Sequence, residues 1–133
     1  MKNFLIILLL LLCNLSFAQK PIVGFTEDEI ITYNRMEFGT SNFKRSIKGD
    51  FYVLETKYES LELLTLYFFR PGYEQNIMCG HSTKNNNTAR IILQEIRSNS
   101  TYLGKGSYRD YQTGLDVDYS YSEGVHLFLF YKY

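Results

Sequence analysis

The stretch Leu63-Leu64-Thr65-Leu66-Tyr67-Phe68-Phe69 constrains this chain more than any other. Read as a strand, it points Leu63, Tyr67 and Phe69 to one side and Leu64, Leu66 and Phe68 to the other. A strand apolar on both sides belongs inside a sheet, covered from both faces or nearly so. Its neighbours fit the same sheet. Residues 50–58 alternate, with Phe51 and Val53 on one side and Tyr52, Leu54 and Tyr58 on the other. Pro71-Gly72 marks a turn, and a third strand is expected over residues 75–82. Later, Leu115, Val117, Tyr119 and Tyr121 alternate with Asp116, Asp118, Ser120 and Ser122. That half-buried pattern, the turn at Glu123-Gly124 and the run 125–133 predict a hairpin. Residues 107–111 can begin one more strand.

Two helices interrupt these strands. Thr26 and Glu29 have capping-box spacing, and Phe25 and Ile30 have hydrophobic-staple spacing. Glu27, Asp28 and Glu29 place negative charge at the positive end of the helix dipole, so the acidic trio is read as capping and not as a metal site. The helix is expected from Glu27 to about Glu37, stopped by Gly39. A second helix, capped by Asn87, is expected over residues 88–103. Its apolar stripe is Ala89, Ile92, Leu93, Ile96 and Leu103. The polar, basic residues 40–49 are expected to be loop. The order is α-β-β-β-α-β-β. It predicts an α+β fold with an antiparallel sheet of about five strands and both helices on one face.

The chain has 133 residues. It opens with Lys2, an apolar run from Phe4 to Leu12, and small residues at Ser16 and Ala18. This has the form of a secretory signal peptide cleaved after Ala18, so residues 1–18 are expected to leave and 19–133 to form one domain. The apolar run is shorter than the roughly 20 residues that span a bilayer. The rival processing, lipidation at Cys13, lacks a small residue before the cysteine, where Leu10-Leu11-Leu12 stands. The expected location is the periplasm or the exterior of a bacterium, with no membrane span after cleavage.

Cleavage leaves Cys79 as the sole cysteine, and hence no internal disulfide. It leaves 13 basic against 14 acidic side chains, which argues against a nucleic-acid footprint, since that needs a basic stripe. Phosphate-cradling glycine loops and hydrolase motifs are absent. No cofactor is implied.

Three candidate chemistries remain. Cys79 and His81 are two apart on an expected strand and share a face. Such a pair suits an activated thiolate, or a metal site if His126 approaches it. A buried strand segment is the alternative, with Met78, Gly80 and Ser82 looking outward. Asp116 and Asp118 are paired carboxylates on a polar strand face, already explained by solvent alternation. Tyr108, Tyr111, Tyr119 and Tyr121 stand among Gly, Ser and Asp. That mixture suits a binding surface for a protein, a cell-envelope component or, through Tyr108, Tyr111 and Tyr119, a sugar.

The stretch Gly24-Phe25-Thr26-Glu27-Asp28-Glu29-Ile30 resembles the Gly-Met-Thr-x-x-x-Val opening of small exported bacterial domains of the SmpA/OmlA and β-lactamase-inhibitor-like group. The resemblance implies a helix followed by antiparallel strands and a role in binding proteins. The Gly-x-Pro that follows the helix in that group is replaced by Gly39-Thr40-Ser41. The leading expectation is a small exported non-catalytic binding domain. The alternatives are a Cys/His enzyme or metal protein and a carbohydrate-binding module.

Overall fold

The computed structural model describes residue 3, residues 22–39 and residues 42–133. The expected signal peptide and its cleavage point lie outside the described residues, apart from residue 3. Helix α1 is Glu27–Phe38 and α2 is Asn86–Asn99. The strands are β1 (Lys44–Lys48), β2 (Phe51–Tyr58), β3 (Leu63–Phe69), β4 (Met78–Thr83), β5 (Thr101–Gly104), β6 (Ser107–Asp110), β7 (Leu115–Ser122) and β8 (Val125–Lys132).

All eight strands form one sheet in the order β1-β2-β3-β4-β8-β7-β6-β5, with every adjacent pair antiparallel. The α+β class is as expected, but the sheet has eight strands and not five. Across residues 27–132 the order is helix-plus-four-strands twice, and the last strand of each half, β4 and β8, pair at the sheet's centre.

Strand β1 overturns the expected loop at 40–49. Four of its five residues are exposed, so it carries no burial alternation. Its order comes from pairing with β2, and its lysines suit a sheet edge. The expected second helix is too long at its C-terminus. It starts two residues earlier than the Asn87 cap implies, because Asn85 Oδ1 accepts from the amides of Asn87 and Thr88. It ends at Asn99, and Leu103 belongs to the edge strand β5. At α1 both halves of the capping box form, and Gly39 closes the helix at φ 64°. Gly39 supplies the left-handed conformation there without a Cβ penalty.

Both helices pack on one face. Ile30 of α1 and Ala89, Ile92 and Ile96 of α2 join Leu54, Leu63, Tyr67, Phe69, Cys79, Val117, Phe128 and Phe130 in one core. The weakly amphipathic α1 is held by polar bonds as well. Fully buried Asn34 donates to Ile30 O (2.8 Å) and to Tyr67 Oη (3.2 Å), and its Oδ1 accepts from Tyr58 Oη. Burial pushes the phenols of Tyr58 and Tyr67 well above their ordinary range, so both stay neutral.

Asn76 pins the chain ahead of α1. Its Oδ1 accepts from the Phe25 amide (2.9 Å), and its Nδ2 donates to Ile22 O (2.6 Å). Its backbone exchanges bonds with Gly24 and Phe25. Residues 22–26 are thereby tied to the β3–β4 connection.

Candidate functional site

Strand β4 lies between β3 and β8, and its alternation aims Cys79, His81 and Thr83 at the helices. Cys79 is 0% exposed and His81 1%. Burial pushes the Cys79 thiol up to about 12 and the His81 imidazole down to about 4. Both groups are therefore neutral near pH 7, and neither thiolate nor imidazolium forms. The polar neighbour of Cys79 is the backbone of Ile22, not His81. His81 Nδ1 lies 2.9 Å from Thr65 Oγ1, its ring meets Phe130 edge-on, and its Nε2 is buried with no hydrogen-bond partner.

His126 sits opposite Thr83, farther along the same pair of strands. Its Nδ1 lies 2.9 Å from Tyr119 Oη and its Nε2 2.8 Å from Asn86 Oδ1. Both ring nitrogens are thus engaged, and neither is engaged by Cys79 or His81. Among the described residues, no three His, Cys, Asp or Glu side chains group as metal ligands.

The tyrosines of 102–121 do not make one surface. Tyr108 faces the helices and is 6% exposed, resting on Tyr102. It is a core residue, because β6 alternation and its Val117 partner direct it inward. Tyr119 is half-buried and stacks on Phe128 at 4.9 Å. Tyr121 is exposed, 4.6 Å from the His126 ring. Tyr111 lies in the turn after β6, exposed and edge-on to Tyr133. The Arg109 guanidinium stands 4.1 Å over that Tyr133 ring.

The helix-free face of the sheet carries what the sequence reading did not single out. Pairing places Phe51 and Val53 (β2), Leu64, Leu66 and Phe68 (β3), Met78 and Gly80 (β4), and Leu127, Leu129 and Tyr131 (β8) on it. Val53 is fully buried, while Phe51, Leu64, Leu66, Phe68, Met78, Leu127, Leu129 and Tyr131 remain half-buried. Strand β3 is central, as its two apolar sides require. Among the described residues, however, helices cover only one of those sides. Phe68 and Leu129 lean over Gly80, where an added Cβ would lie 3.3 Å from Leu129 and 3.4 Å from Phe68. The glycine lets the apolar side chains of β3 and β8 close into one patch.

Charged and polar residues border this patch. On the β1–β2 side stand Lys44, Lys48 and Lys57, with Lys44 3.8 Å from Glu55. On the β6–β7 side Arg109 donates twice to Asp116 (2.8 and 3.0 Å), which holds the Asp116 carboxyl below its usual range. Asp118 accepts from Ser107 Oγ (2.7 Å) and Tyr131 Oη (2.9 Å). The paired aspartates are thus fixed by neighbours within the sheet.

An open cleft of about 680 Å³ lies between the start of α1 and the β3–β4 connection, lined by Glu27, Asp28, Tyr52, Phe69, Tyr73 and Glu74 among others. Of its lining carboxylates, Glu27 is already bonded by Arg45 and Tyr52. Among the described residues no helix is long and apolar enough to cross a membrane. No protein-family model, no curated protein and no solved structure matches this chain.

Proposed function

We propose that this chain is a small, non-catalytic protein-binding domain and that its binding surface is the helix-free face of the sheet. The observation that carries the reading is the apolar patch on four neighbouring strands, β2, β3, β4 and β8. Its middle has the composition of an interface centre, Phe, Val, Leu, Met and Tyr, and Glu55 and Lys57 of β2 stand with the charged groups that border it. Scattered apolar residues need no explanation, but a contiguous rimmed patch marks an interaction site. The reactive residue types support the same reading by their placement. The Cys79 thiol and the His81 ring are packed core, held neutral and closed to substrate. An exported location is part of the proposal, and a protein of the cell envelope is then the fitting partner.

A photo-reactive amino acid in place of Leu66 tests this in the producing cell, with the same group at exposed Gln94 on α2 as control. The reading expects polypeptide adducts from position 66 and few from position 94. Equal yields, or none from 66, would contradict it.

A further inference from the structure

The character of the patch narrows the partner to another copy of this chain; this step rests on the binding face proposed above. The patch and its two flanking strands cover β1, β2, β3, β4, β8 and β7. Strands about 4.8 Å apart, with about seven residues of about 3.3 Å each, lay out roughly 650 Å² per copy. Two copies face to face then bury about 1,300 Å², above the roughly 1,000 Å² that a specific interface needs.

The face is also self-complementary. Consider a two-fold axis parallel to the strands, between β3 and β4 and midway between two sheets about 10 Å apart. It lays β3 of one copy over β4 of the other. On this face β3 is large (Leu64, Leu66, Phe68), whereas β4 is small at Gly80 and Ser82. The same axis lays β1 over the partner's β7. Lys44, in the row that runs through Glu55, Leu66, Gly80 and Leu129 to Asp118, then comes over Asp118 of the second copy. Lys44 of each copy thus meets Asp118 of the other, twice per dimer. Sheets packed this way keep their strands within about 30° of alignment, which the central β3–β4 contacts tolerate best.

We propose that two copies associate through their helix-free faces as an isologous, sheet-on-sheet dimer. Strand β3 then gains the second cover that its two apolar sides call for.

Sedimentation equilibrium of the protein purified after export tests this. The expected result is a reversible dimer that Leu66→Lys weakens by at least about tenfold, with secondary structure and melting retained. Lys44→Glu alone should weaken it too, and adding Asp118→Lys to that variant should recover part of the loss, which simple misfolding cannot do. A monomer at all concentrations would overturn the dimer, as would a dimer indifferent to both Leu66→Lys and Lys44→Glu. A monomer that still cross-links from position 66 to other polypeptides would overturn self-association and keep the wider binding reading. A monomer with no such adducts would sink both.

Discussion

Thr65 Oγ1 lies 2.9 Å from His81 Nδ1 across the β3–β4 pair, deep under the helices, and the far nitrogen of that ring meets no polar atom. The hydroxyl satisfies one side of a neutral imidazole, and Phe130 packs against the ring. Protonation would place a charge where nothing answers it.

Stability should therefore fall with acid in a defined window. His81 titrates near 6.5 when unfolded and is held down to about 4 when folded. The unfolded chain binds the proton first, so the contribution is intact above about pH 6.5 and is lost as pH falls towards 4. The full loss is of order 3 kcal/mol at 1.36 kcal/mol per pKa unit. Denaturant melts from pH 7.5 to 4 should show it, and His81→Leu should flatten the curve in that interval. An unchanged slope in His81→Leu would contradict this account of the site.

Cys79 should be inert in the native protein. Its thiol is fully buried and pushed up to about 12, so a thiol reagent finds neither access nor thiolate. Labelling should become rapid only on denaturation, and native labelling as fast as a free thiol would contradict the packing. Cys79→Ser places a hydroxyl in the same apolar site and should cost about 1–3 kcal/mol.

The tyrosines should separate by burial rather than by neighbourhood in sequence. Tyr108→Ala empties a core site and should cost about 3–5 kcal/mol. Tyr111→Ala and Tyr121→Ala remove rings that are 65% and 60% exposed, and each should change stability by less than about 0.5 kcal/mol. Thermal melts of the three variants check this. A near-neutral Tyr108→Ala would return that ring to the surface.

Asn76→Ala should loosen the segment ahead of α1. It leaves the Phe25 amide and the Ile22 carbonyl without their partner, at a cost of about 2–4 kcal/mol. Hydrogen exchange should speed at Gly24 and Phe25 well before it speeds in β3. Exchange that rises evenly across the sheet would contradict a local tie.

How much of this could be read beforehand follows from where each signal resides. The first helix was legible because its determinants are local: Thr26, Glu29 and Gly39 each act within one turn. The inner strands were legible because burial on one face imposes a period of two. Strand β1 was not, since Lys44, Arg45, Ile47 and Lys48 are exposed and owe their order to β2. Strand β5 was hidden because Leu103 continues the helical spacing of Ile92 and Ile96, and only the pairing with β6 separates them. The spacing of Cys79 and His81 puts them on one face, but a single strand does not reveal how deep that face lies. The helix-free patch left a trace in the doubly apolar β3. Its joining to Leu127, Leu129 and Tyr131 depends on β4 pairing with β8, a contact between the two halves of the chain.

The most direct test is methyl NMR of selectively labelled protein, followed from dilute to concentrated solution. The account predicts shifts and broadening at Leu64, Leu66, Met78, Leu127 and Leu129, with Leu54, Leu63 and Ile92 of the helix-covered core unmoved. Unperturbed face methyls, or perturbations centred on the Tyr102–Tyr121 side instead, would contradict it.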